Sequence, residues 1–180
     1  MASDTEAKVS PEPWYEIVAR TLKANQIEIV TYVPDKVLAP LIKRLHADEY
    51  FTMFTLAREE EGLGIATGAW MGGKRSILLM QTSGFATLPN VLASLVVACQ
   101  IPAIMMVSER GTMGDHQLGQ AIVCRTMVPV LETLGVEHHR ITRLDETQFI
   151  VDRAIKQAFA TQAPVALIMS PLLTNNPAYQ

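Results

Sequence analysis

Along this chain the spacing of apolar residues switches repeatedly between a period near two and a period near 3.6. That alternation is the strongest constraint on the fold. Short β-branched runs separated by amphipathic stretches bury their apolar sides together as a parallel sheet with helices over both faces. Residues 27–33, 50–56, 75–81, 103–107, 136–141 and 165–169 read as the strands. Residues 103–107 are apolar throughout, as a strand covered on both faces requires. Helices read over 10–25, with Ser10-Pro11 as N-cap and first-turn pair, and from Pro34-Asp35 onward, with Val37, Leu38, Leu41, Ile42 and Leu45 on one face. Further helices read over 59–71, 89–100 and 121–134, the last closed by Gly135. The final helix starts at Asp145, which with Gln148 resembles a capping box, and runs to about Thr161. The expectation is an α/β protein, three layers α/β/α, with a mostly parallel six-stranded sheet.

The 180 residues show no internal repeat or linker, so one domain is expected over 14–171, between tails at 1–13 and 172–180. The C-terminal tail is either a docking arm or frayed. Hydrophobic residues at 49% and charged ones at 18% exclude wholesale disorder. A net charge of -3 with scattered basic residues gives no footprint for nucleic acid or a membrane surface. The opening Met-Ala-Ser-Asp-Thr-Glu has no apolar signal core. The most apolar stretch, 91–107, is broken by Ser94, Gln100 and Pro102, short of the ~20 apolar residues of a membrane span. These features point to a cytoplasmic protein. Cys99 and Cys124, without metal spacing and among apolar neighbours, read as buried thiols.

Function in open parallel sheets sits in loops at the carboxyl ends of strands, here 57–61, 82–87 and 108–120. In the first of these, Arg58-Glu59-Glu60-Glu61-Gly62 follows a strand and opens a helix that contains Gly64 and Gly68. On composition alone it is an acidic first turn, favoured by the helix dipole. Gly62, Gly64 and Gly68 are spaced one residue too long for a dinucleotide fingerprint. Three carboxylates also stand where a diphosphate would approach the helix, so a dinucleotide site is excluded.

The same run, with Gly68 and Gly73-Lys74 closing the helix, is followed by Met80-Gln81-Thr82-Ser83-Gly84, Asn90 and Leu92-Ala93-Ser94-Leu95. Ile101-Pro102, Arg110-Gly111 and Leu134-Gly135-Val136 come next. Together they resemble the pyrimidine-binding domain of thiamine-diphosphate-dependent decarboxylases. The α subunits of sulfopyruvate decarboxylases are the nearest, phosphonopyruvate decarboxylases next, over roughly residues 14–170. The resemblance implies decarboxylation of a small anionic 2-oxo acid to an aldehyde and CO2. In that family one glutamate at the strand-to-helix junction touches the aminopyrimidine ring and assists acid–base chemistry, while the carbanion chemistry belongs to the cofactor. A family glycine nine positions on is matched by Gly68, which assigns that glutamate to Glu59; Glu60 takes the role if the register slips by one, and Glu61 is a solvated helix-start charge. Thr82, Ser83 and Gly84 join the cofactor contacts, and Gln81 lies on the substrate side. The family's Gly-Asp-Gly and Asn-Asn pair, which holds magnesium and the diphosphate, is missing: Asn175-Asn176 has no Gly-Asp-Gly before it. A separate diphosphate-binding (β) subunit is therefore implied to carry the Mg2+ ligands, with homo-oligomerisation besides.

Two loop residues stay open. His116 is either catalytic or a solvated loop histidine. Arg110 either grips the substrate's anionic tail through its guanidinium fork or is a surface charge. His138 and His139, on alternate faces of a strand, read as structural, and His46 as a dipole partner near a helix end. Where the resemblance leads one to expect Asn, Leu, Gly and Asn, the chain has Thr82, Phe85, Ala86 and Thr87; Pro89 is unexpected, and the segment after Gly114 diverges. These departures leave the identity of the 2-oxo acid open, and with it a second reading, a non-catalytic binding or assembly module of the same fold.

Overall fold

A computed structural model describes residues 12–179. In chain order its elements are α1 (Trp14–Ala24), β1 (Ile27–Tyr32), α2 (Ala39–His46), β2 (Thr52–Thr55), α3 (Glu59–Met71) and β3 (Arg75–Gln81). There follow α4 (Thr82–Phe85), α5 (Pro89–Val91) running into a π-helical turn (Leu92–Val97), β4 (Ile104–Ser108) and α6 (Leu118–Thr133). The chain closes with β5 (Glu137–Ile141), α7 (Leu144–Thr161), β6 (Val165–Met169), α8 (Pro171–Thr174) and a 3-10 turn (Pro177–Tyr179). The six strands form one sheet in the order β2-β1-β3-β4-β6-β5, every neighbouring pair parallel.

The pleat divides the core in two. On β3, Ile77 and Leu79 face the layer holding Trp14, Leu22, Leu41 and Ile155 of α1, α2 and α7. Leu78 and Met80 face the other layer, with Leu63 of α3, Phe85 of α4 and Leu131 of α6. All five residues of β4 and of β6 are buried, so these runs have no polar face to show. Burying each such side chain contributes about 1.5–3 kcal/mol. The edge strand β2 is short and largely exposed. Among the described residues, no helix is long and apolar enough to cross a membrane.

Strands β3 and β6 and helix α3 fall where the sequence places them, while others differ for local reasons. The Ser10-Pro11 cap lies outside the described residues. Helix α2 starts at Ala39 rather than at Pro34. Asp35 Oδ1 instead accepts from the Leu38 amide at 2.8 Å and from Ser108 Oγ at 3.0 Å, tying residues 35–38 to the end of β4. The cap of α7 is also shifted. Glu146, not Gln148, folds back, its Oε1 accepting from the amides of Thr142 at 2.8 Å and Arg143 at 3.0 Å. Asp145 instead pairs with the Arg143 side chain. An extended Arg143 backbone (φ -130°, ψ 150°) makes that reach possible. Cys99 is exposed rather than buried, on the outer side of the turn after the π-helical segment, whereas Cys124 is buried. The C-terminal tail is docked. Ser170 Oγ caps α8 through the Leu172 amide, Leu173 is buried, and Asn175 Nδ2 donates to the Gly114 carbonyl at 2.9 Å.

Candidate active site

With β1 lying between β2 and β3, the chain reverses its direction of travel along the sheet, and the loops leaving β1, β2, β3 and β4 gather at one edge. Helix α3 begins there. Its N-cap, Arg58, is extended (φ -144°, ψ 148°), and Glu59 is the first helical residue. The half-buried Glu59 side chain lies against Gly84 of α4. A Cβ at Gly84 would stand 2.5 Å from Glu59 Cδ and 2.8 Å from its Cγ, so only a hydrogen fits.

The three glutamates of that turn have different partners. Glu60 Oε1 accepts from Arg58 Nη2 at 3.0 Å, and that guanidinium holds the Glu60 carboxyl below the usual range. Glu61 Oε2 reaches back to the Ala57 amide at 3.3 Å. Among the described residues no hydrogen bond or ion pair engages the Glu59 carboxylate.

Next to it stands a buried polar network. Thr82 Oγ1 donates to the Ser108 carbonyl at 2.9 Å and accepts from the Arg110 amide at 3.0 Å, stapling the ends of β3 and β4. Arg110 is buried between two carboxylates. Its Nε meets Asp115 Oδ2 at 2.6 Å, and its Nη1 meets Asp35 Oδ2 at 3.5 Å. Its charge is thus compensated before any ligand arrives. Gly111 makes the turn into the next loop at φ +77°, where a Cβ would come within 2.7 Å of the Ala121 amide nitrogen. A crevice of about 300 Å3 opens here, lined by Lys36, Val37, Arg110, Asp115, Gln117 and Asn175 among others.

Of the remaining sequence candidates, Gln81 is half-buried at the end of β3, in register with Ser108. Ser83 is half-buried on α4. His116 is exposed, between Asp115 and Gln117 of the crevice wall. His46 Nε2 hydrogen-bonds the Tyr32 hydroxyl at 2.8 Å, while His138 and His139 bond Val136 O and Gln157 Oε1, each at 3.2 Å. Among the described residues no cluster of three His, Cys, Asp or Glu side chains is placed to hold a metal ion. Asp35, Ser108 and Asp115 escaped sequence reasoning. Their only signal was polar residues at the ends of strands whose adjacency was unknown.

No family model matches the chain. It is 29% identical over 157 residues to the sulfopyruvate decarboxylase subunit alpha of Methanococcus maripaludis, covering 87% of this chain and 94% of that protein. To the same subunit of Methanothermobacter thermautotrophicus it is 37% identical over 121 residues, covering 67% of this chain and 73% of that protein. The chain belongs to the sulfopyruvate decarboxylase alpha-subunit family. A 2-oxoglutarate:ferredoxin oxidoreductase from Magnetococcus marinus superposes with a TM-score of 0.70 over 90% of this chain and 29% of that one; at 13% identity the likeness is one of fold.

For a member of this family, the departures at the end of β3 have clear local uses. Thr82 is the staple just described, Phe85 is buried beneath α6, and Thr87 Oγ1 donates to the Gly84 carbonyl at 2.9 Å. They hold Gly84 in place under Glu59.

Proposed function

We propose that this chain is the pyrimidine-binding subunit of a thiamine-diphosphate-dependent decarboxylase acting on sulfopyruvate, completed by a separate diphosphate-binding subunit. The observation that carries the reading is the unengaged Glu59 carboxylate on Gly84. A half-buried carboxylate loses part of its hydration, and among the described residues Glu59 has no donor of its own, whereas Glu60 Oε1 and Glu61 Oε2 each have one and Glu60 Oε2 is sealed without a partner. Glu59 is therefore the group that fits a pyrimidine ring nitrogen, with Ser83 and Gly84 beside it. When bound, thiamine diphosphate supplies the carbanion chemistry that releases CO2 from a 2-oxo acid. Glu59 holds and exchanges a proton at its carboxylate. Thr82 and Arg110 keep the loops after β3 and β4 in register. Exposed His116 and half-buried Gln81 are the polar groups we assign to the substrate side.

The partner is supported by two helices that are apolar on more than their core side. On α6, Leu118 is 91% and Ile122 65% exposed, and on α3 Met71 is exposed. Gly64 and Gly68 leave part of α3 bare, with no atom within 4 Å of a Cβ at either position. Such a surface suits a second polypeptide, on which we place the Mg2+ ligands. The exposed free thiol of Cys99 suits a reducing cytoplasm. A non-catalytic module of the same fold has no use for a half-buried carboxylate without a donor.

The test is Glu59→Gln in the reconstituted complex, with aldehyde release from sulfopyruvate as the readout. Turnover is expected to fall ~10²-fold or more, the size of an acid–base contribution, while Glu60→Gln stays within a few-fold of the parent. Near-normal turnover in the Glu59 variant would sink the assignment.

A further inference from the structure

A second cleft, of about 340 Å3, lies between α6 and the ends of β4 and β5, lined by Glu109, Thr112, Cys124, Arg125, Val128 and Arg140 among others. Glu109 is buried and fixed from both ends. Its amide donates to the Met169 carbonyl at 3.0 Å, and its Oε1 accepts from Arg140 Nη2 at 2.8 Å. That bond uses one of the donors of the Arg140 guanidinium, and the half-exposed side chain keeps the rest available. Arg125 has no ion pair among the described residues. Burial pushes the Cys124 thiol up, so it adds no negative charge. Two guanidinium groups thus face one carboxylate, an excess of one positive charge. At the Arg110 crevice the arginine is already paired with both Asp35 and Asp115.

Thr112 lines the same cleft. Its hydroxyl oxygen is sealed from solvent and has no hydrogen-bond partner. Leaving such a group unsatisfied costs about 1–3 kcal/mol. Val128 and Ala121 supply an apolar wall for a short carbon chain. A further cavity of about 350 Å3, reaching Met113 and Leu172, borders the other side of the Glu109–Arg140 pair. Volumes of this size suit a small metabolite.

We propose that the cleft between α6 and β5 binds a small oxyanion, a sulfonate, phosphate or carboxylate group, forked between Arg125 and Arg140. Arg140 is pre-oriented by Glu109, and Arg125 closes over the anion from α6.

The test is an NMR titration of the full chain alone, with sodium sulfoacetate as one probe and inorganic phosphate as the other. Saturable amide shifts are expected at Gly111 and Thr112. Arg125→Ala is expected to weaken binding about tenfold, the loss of one charge-assisted contact. Arg140→Lys retains a cation for Glu109, so the fold survives, and removes the fork; it should weaken binding similarly. Arg153→Ala, a surface arginine on α7, should leave affinity unchanged. Equal affinity for both probes assigns the site to the free inorganic anion; tighter sulfoacetate binding assigns it to an anion-tailed metabolite. No saturable shift at Gly111 and Thr112, or unchanged affinity in Arg125→Ala, would overturn the site. Because the titration needs neither cofactor nor partner, its failure would leave the decarboxylase reading standing.

Discussion

At Gly84 the side chain is a hydrogen, and the Glu59 carboxylate occupies the space in which a methyl group would sit. The consequence is an opposition between stability and activity. Residue 84 lies in a helical turn with negative φ, where alanine is preferred over glycine by up to about 1 kcal/mol. The atoms an added methyl would meet belong to the far end of a flexible side chain, which moves at little cost to the core. Gly84→Ala should therefore keep or slightly raise the melting temperature while lowering turnover of the reconstituted complex by ~10²-fold, as displacement of an acid–base group does. Thermal melts and steady-state kinetics on the same preparation check this. A variant as active as the parent would mean that Glu59 works from another position. The three adjacent glutamates make the same point. Their identity is shared, and only their partners, Arg58, the Ala57 amide and none, separate them.

Among the elements, α7 shows how one side chain sets a helix start. Glu146 carries its carboxylate back over the first turn, where the Thr142 amide, then its hydroxyl and the Arg143 amide, hold it below the ordinary glutamate range. A depressed carboxyl stabilises the fold above its unfolded pKa, near 4.3, and that contribution disappears as pH falls through the lower folded value. Glu146→Gln should cost about 1 kcal/mol near neutral pH, the usual scale of a lost cap. The gap between variant and parent should narrow as pH falls below about 4. Urea melts at pH 7 and pH 3 measure both differences, and a gap that stays constant would assign the loss to packing. Elsewhere the sheet order does the comparable work, because Asp35 after β1, Thr82 after β3 and Arg110 after β4 meet only once those strands are neighbours.

On the scale of the whole molecule, the layer formed by α3, α4 and α6 is finished on its core side and apolar on its outer side, with Met71, Leu118 and Ile122 exposed. Surface of that kind favours association. The chain alone should sediment as a dimer or larger species, and Leu118→Glu with Ile122→Glu should shift it toward monomer. It should also bind thiamine diphosphate weakly or not at all, because Glu59 to Glu61 place like charge beside the approach. Calorimetry with and without magnesium reads this out. Micromolar affinity accompanied by decarboxylation from this polypeptide alone would remove the need for a second subunit.

What the sequence by itself determined is what depends on neighbours along the chain. Apolar periodicity marked β3, β6 and α3, fully apolar runs marked the doubly covered strands, and the Arg-Glu-Glu-Glu-Gly and Gln-Thr-Ser-Gly pair pointed to one site. The tertiary structure decided what depends on pairs far apart in sequence. Gly84, 25 residues from Glu59 and in another helix, was brought against the Glu59 side chain. Arg110 read as either a grip for an anionic tail or a surface charge; the fold buries it and sets Asp35 against it from 75 residues away. Arg140, on an edge strand, became half of a charged cleft only when β5 brought it to Glu109. A carboxylate or guanidinium takes its character from what stands within a few ångströms, and in a parallel sheet with crossover helices those neighbours come from other strands.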